Sequence, residues 1–132
     1  MNALETGLYN ILANNAPLTT ALGSAAIYNQ HAPQGTARPY VIFNHAGGGH
    51  ENRTPSDTQN HIYLVKVVAD GLKQAGTIDD LVTTALHQAT LTVAGYTNFY
   101  TARETEAAFT ETPADGAPIY HRGAYYRIRI DD

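Results

Sequence analysis

The side chains best suited to chemistry in this chain of 132 residues are its six histidines: His31, His45, His50, His61, His87 and His121. His45 and His50 stand five apart across Gly47, Gly48 and Gly49, Glu51 follows directly, and His61 opens the next apolar run. If residues 45 and 61 meet across a hairpin, His45, His61 and Glu51 would form a metal-binding cluster of the kind a small metal-dependent enzyme uses. The same pattern fits imidazoles that are solvated or hydrogen-bonded at strand ends. Other chemistry has less to work with. There is no cysteine, which excludes a disulfide framework, a thiolate metal site and a Cys nucleophile. Ser24 and Ser56 are the only serines, and neither lies in a Gly-x-Ser-x-Gly elbow. The glycines at 47 to 49 lack the Lys and Ser/Thr of a phosphate loop and lead towards a strand, so no helix N-terminus is there to hold an anion. Asp79 and Asp80 read as carboxylates in the electropositive first turn of a helix, and Glu104 and Glu106 as solvated carboxylates at same-face strand spacing. Neither pair is framed by apolar residues that would raise a pKa.

The elements that would position these groups follow from periodicity. Leu4, Leu8, Ile11 and Leu12 form one stripe of a helix over about residues 2 to 14. A short helical turn from Pro17 to Leu22 follows, with proline at its start and Gly23 as its stop. Ile27 and Tyr28 read as a short strand and Tyr40 to His45 as a longer one. From Gly47 to Thr58 the chain is polar, without apolar periodicity, and reads as a long exposed loop that is mobile until a partner orders it. His61 to Ala69, rich in Ile, Val, Leu and Tyr, is the clearest strand. Thr77 is placed to cap a second helix running to about Ala89, with Ile78, Leu81, Val82, Ala85 and Leu86 on its inner face. Leu91 and Val93 lead through Gly95 to a strand from Tyr96 to Thr110, a break from Thr112 to Pro118, and a final strand from Ile119 to Ile130. In that last strand Tyr126, Ile128 and Ile130 face one way, and Tyr125, Arg127 and Arg129 the other.

Two main helices among hairpin-compatible strands indicate an α+β fold. We expect a mostly antiparallel sheet of about four strands, with both helices on one face, in a single domain over residues 1–132. Composition agrees with a globular class: 43% hydrophobic and 15% charged residues, with a formal charge of −4 that argues against general nucleic-acid binding through a basic surface. No basic leader and no long apolar stretch opens the chain, so a soluble, unprocessed protein without a membrane role is expected. The strands at 40–43 and 62–68 are apolar on both faces, with Ile62, Leu64 and Val68 on one and Tyr63, Val65 and Val67 on the other. Two helices cover only one face of such a sheet. The other needs a subunit partner or a C-terminal hairpin curled across it. We therefore expect Val65 and Val67 to face outward at an interface, joined by the polar candidates Glu51, Arg53, Asp57, Arg127 and Arg129.

One segment carries a resemblance. Ile27 and Tyr28, then Ala32, Pro33, Gln34 and Gly35, then Pro39, Tyr40 and Val41 resemble a pattern in small phage tail-completion proteins, related to the tail terminators of long non-contractile tails. Physically, Pro33 and Gly35 predict a tight turn over residues 31 to 36, and Pro39 marks the start of a strand. The resemblance implies a structural protein and not an enzyme, without cofactor or catalytic residues. It also implies a ring of copies, commonly six, that caps the tail tube at the head-proximal end of the virion and ends tail elongation. Its implied partners are itself, the tail tube protein and the head-completion or connector protein, assembled in the host cytoplasm. The rival readings are the metal-dependent enzyme above and a dimeric α+β ligand-binding module.

Overall fold

A computed structural model of the chain describes residues 1–114 and 116–132. Asp115, inside the break expected at 112–118, lies outside the described residues. The element order is α1 (Asn2–Ala13), α2 (Ala16–Leu22), β1 (Ile27–Asn29), β2 (Tyr40–His50), β3 (Gln59–Ala69), α3 (Leu72–Leu86), β4 (Thr92–Val93), β5 (Tyr96–Glu111) and β6 (Ile119–Asp131).

The fold is α+β, but the sheet differs from expectation. It has six strands in the order β1-β2-β3-β6-β5-β4, curled into a half-barrel, and it is mixed because β1 runs parallel to β2. The two extra strands are β1 and β4, of three and two residues. β1 is the short strand read at Ile27 and Tyr28, whereas the two residues of β4 are too few for alternation to register. The C-terminal hairpin does not curl across the sheet. Instead β5 and β6 extend it, with β6 paired to β3 without interruption from Gln59↔Ile130 to Ala69↔Tyr120.

Helix α1 buries Leu4, Leu8 and Leu12 at four-residue spacing, as its stripe predicts. Gly7 lies on the same side because a Cβ there would stand 2.4 Å from the Thr92 carbonyl oxygen, so only glycine lets α1 approach β4. In α2 the Asn15 side chain accepts from the Leu18 N–H at 3.0 Å, and Gly23 closes the helix with φ +83°. The turn after β1 closes through Thr36 N–H to the Pro33 carbonyl at 3.1 Å, with Gly35 at φ +84°.

Helix α3 begins at Leu72, five residues before Thr77, and its N-cap is Gly71 without a side-chain cap. Gly76 looks like a break in sequence but is carried inside the helix, where glycine costs only about 1 kcal/mol. Ala75 and Ile78 are buried on either side of it. The helix ends at Leu86 and not Ala89, since His87 is extended and Gln88 has φ +62°.

One core unites the three helices and one face of the sheet. It contains Val41, Phe43, Tyr63, Val65, Val67, Ala124, Tyr126, Ile128 and Ile130 beneath Leu4, Leu8, Leu18, Ile78, Val82 and Leu86. Val65 and Val67, expected to face outward, are completely buried in it. The outward residues of β3 are Ile62, Leu64 and Lys66, all half-buried. Leu86 is completely buried, whereas Leu81 is only partly buried against the core. Leu81→Ala should therefore cost about 1 kcal/mol and Leu86→Ala about 2–3 kcal/mol in chemical denaturation. Equal losses at the two positions would show that the helix is rotated from this phase.

Candidate functional site

The histidines meet only in part. His45 precedes a register shift in β2, where Gly47 and not Ala46 pairs with Ile62. That bulge brings the His45 Nε2 within 3.0 Å of His61 Nδ1. His61 Nε2 then lies 2.7 Å from Gln59 Oε1, which can only accept, so His61 donates there and its Nδ1 accepts from His45. The relay continues from Gln59 Nε2 to Asp57 Oδ2 at 3.2 Å and to the Tyr96 hydroxyl at 3.3 Å. Tyr96 donates to Asp57 Oδ2 at 2.8 Å, and His50 Nδ1 lies 2.7 Å from Asp57 Oδ1. These bonds hold the Asp57 carboxyl below its ordinary pKa, the Tyr96 bond contributing most.

Glu51, the third member of the expected metal cluster, turns elsewhere. Its carboxylate accepts from Arg129 at 3.0 Å, and Arg53 approaches it at 3.7 Å. Among the described residues no group of three His, Cys, Asp or Glu side chains is placed to hold a metal ion. The hairpin turn at 51–58 is also better anchored than its polarity suggested. β2 continues through the glycines to His50, so the connection is shorter than the expected loop from Gly47. Glu51 N–H bonds the Thr58 carbonyl at 2.8 Å, Asp57 N–H bonds Asp132 at 3.0 Å, and Thr58 Oγ1 bonds Asp131 at 3.0 Å. The anchors are polar, so a search for apolar contacts misses them. Arg53 keeps its side chain 69% exposed, held among the described residues only by the 3.7 Å approach to Glu51.

Burial pushes the His61 pKa down to about 4 from 6.5, and the neighbouring His45 adds to the shift. The folded chain thus binds this proton more weakly than the unfolded chain. The associated stability is complete above pH 6.5 and is lost as the pH falls towards 4, amounting to about 3 kcal/mol, most of it lost above pH 4.5. His61→Gln should flatten the fall in urea stability between pH 7 and 4.5 by most of that amount. Parallel pH profiles for the two proteins would exclude His61 as its source.

The outer face of the sheet is laced with ion pairs. Arg127 donates to Glu104 at 2.9 Å and to Asn60 at 2.9 Å, and Arg129 lies over the Phe99 ring at 5.0 Å. Lys66 sits 5.0 Å from the Phe109 ring, which stacks on His121 at 4.0 Å, while His121 lies 3.1 Å from Glu111. Phe99, Tyr100 and Phe109 remain exposed along β5. Of the expected interface residues, Glu51, Arg127 and Arg129 are thus in the same outer region, Arg53 borders it, Asp57 belongs to the histidine relay, and Val65 and Val67 are in the core.

A second polar centre escaped sequence reasoning. Asp79, expected to be solvated in a first helical turn, lies in the middle of α3 and is 7% exposed. It accepts two bonds from Arg103, at 3.1 and 2.9 Å, and Arg103 also reaches Thr83, Tyr126 and Glu106. The Asp79 carboxylate is the main reason that the Arg103 pKa is raised. Only a pairing of α3 with β5 reveals this contact, and nothing local in the sequence signals it. On the opposite flank Glu5 of α1 accepts from the Tyr63 hydroxyl at 2.8 Å and from Asn29 at 2.8 Å, tying α1 to β3 and β1.

Most polar groups in these clusters are engaged with one another and tie helices and hairpins onto one sheet, while His121 Nδ1 and Arg129 Nε are buried without a hydrogen-bond partner among the described residues. The chain belongs to the family of tail completion protein gp17, whose model matches residues 6–130. This is a family of phage tail structural proteins. Comparison with solved structures shows the same fold in a chain of the virion of a native gene transfer agent particle. The two chains are 19% identical with a TM-score of 0.81, over 99% of this chain and 96% of that one. A second solved structure, without a functional description, is 14% identical with a TM-score of 0.59, over 98% of this chain and 93% of that one. No curated protein matches the chain.

Proposed function

We propose that this protein caps the tail tube at its head-proximal end, ends tail elongation and offers the surface to which the head connector joins, acting as a ring of copies. The family membership over residues 6–130 carries this reading. It is supported by the outer sheet face, where exposed aromatics and guanidinium groups lie together, a composition suited to protein contacts. The ring, the tube protein and the connector are the partners it requires. The place of action is the assembled virion.

The reading is tested on particles. Without this protein, phage preparations should contain tails of uncontrolled length and unjoined heads, and immunogold label against it should mark the head-proximal end of finished tails. Label spread along the tube, or normal joined particles from a deletion strain, would reject it. Within that role we assign docking to the tip of the 51–58 turn. Excising Arg53 to Ser56 should leave the melting temperature close to wild type, because closure entropy changes slowly with loop length, while lowering the yield of joined particles. Wild-type yield from the excised protein would reduce the tip to a spacer.

A further inference from the structure

The sheet ends in two open edges. On one side β1 pairs with β2 only at Val41 to Phe43, so among the described residues β2 from Asn44 to His50 has no strand beyond it. Val41 N–H and the Phe43 carbonyl bond towards β1, and the alternation of the strand puts the N–H and carbonyl of His45 on that same edge. On the other side β4 pairs with β5 only at Tyr96 and Thr97. The segment after α3 uses the Thr101 carbonyl and the Arg103 N–H, and beyond Arg103 β5 has no neighbour outside β6 among the described residues. The register Ala107↔Gly123 and Phe109↔His121 directs those residues towards β6, leaving Glu106, Ala108 and Thr110 with outward N–H and carbonyl groups.

We infer that these two edges pair with each other between copies: β5 from Glu106 to Glu111 adds in antiparallel sense to β2 from Asn44 to His50 of the next protomer. The inference rests on the ring reading above and names its interface. Three observations argue for a second copy as the occupant. First, β2 and β5 run in opposite directions within the sheet, so placing the next copy's β2 beside β5 in the same orientation continues the antiparallel alternation.

Second, the two edges carry complementary hydrogen-bonding groups, carboxylate acceptors on one and imidazole and guanidinium donors on the other. Glu106 and Glu111 have side chains 78% and 56% exposed on the β5 edge, whereas His45 and His50 are exposed on the β2 edge with Arg53 just beyond. Third, the stagger suits closure. Ala108 lies level with Val67 on β3 and Gly48 with His61, so a register that sets Ala108 opposite Gly48 of the next copy offsets each protomer by six residues. That is about 20 Å of strand against about 19 Å of sheet width over four strands, a slope near 45° and close to the tilt of closed barrels. An interface between two different patches is heterologous, and it closes into a ring when its rotation divides the circle.

The test uses one block on each edge. Proline is tolerated on an open edge and removes its donor, so Ala108→Pro closes the β5 edge and His45→Pro the β2 edge. Each variant should melt as a folded monomer and form no rings by native mass spectrometry, either in solution or on isolated tail tubes. Mixed together they should give a one-to-one dimer and nothing larger, because each retains one usable edge. Rings from folded Ala108→Pro protein would overturn the edge pairing and leave the capping role standing, as would absence of the mixed dimer. If either proline unfolds its chain, cysteines introduced in pairs at Glu106 and His50, which this register sets opposite each other, decide the matter: disulfide-linked multimers support the pairing, and their absence from wild-type-like rings overturns it. Failure of the unmodified protein to form a ring anywhere would remove the capping reading together with this interface.

Discussion

Val65→Asp should destroy the fold rather than an interface. Val65 is completely buried, paired on one side with Phe43 and on the other with Ala124, in the row that packs under the helices. The substitution loses about 1.5–3 kcal/mol of apolar burial. It also places an unpaired carboxyl where ionisation is costly and protonation requires a raised pKa. The combined penalty is comparable to the ~5–15 kcal/mol that holds a whole domain together. We expect insoluble protein, or soluble protein without a cooperative melting transition by circular dichroism. Leu64→Asp, on the half-buried opposite face, should keep that transition. A Val65→Asp protein that melts like wild type would mean that β3 is turned the other way.

This reversal shows what could be read from sequence and what could not. Alternation in β3 separates Tyr63, Val65 and Val67 from Ile62, Leu64 and Val68, but both sets are apolar, so the pattern does not say which lies under the helices. The answer comes from helices far away in sequence. Elements with a one-sided stripe were legible: Leu4, Leu8 and Leu12 on α1, and Tyr126, Ile128 and Ile130 on β6, face the core as their spacing implies. The bounds of α3 were less so, because Gly76 resembles a stop. Pairings between distant segments were partly visible. His45 and His61 meet as a hairpin between them allows, yet Glu51 leaves them for Arg129, which is 78 residues away. A bulge decides such matters, and the bulge at His45 has no signature beyond the glycines that follow it.

The buried ion pair between α3 and β5 yields the second large effect. Arg103 and Asp79 have side chains only 15% and 10% exposed, so solvent screens them little. Arg103→Ala would strand the Asp79 carboxylate and also remove donors from Thr83 Oγ1 at 2.7 Å and from the Tyr126 hydroxyl at 3.3 Å. Breaking a buried pair from one side costs about 3–5 kcal/mol, because the charge left behind has neither water nor partner. Replacing both ends is different: Asp79→Leu with Arg103→Met gives up the attraction and both desolvation penalties together, and should recover most of the loss. Urea denaturation of wild type, Arg103→Ala and the double variant at pH 7 measures both quantities. A loss below about 1 kcal/mol in the single variant would show that water reaches Asp79. A double variant as unstable as the single would show that the guanidinium acts mainly by orienting Tyr126 and Thr83. The expected recovery would mean that the pair fixes how α3 docks on the β5–β6 hairpin, and so where the open edge of β5 lies.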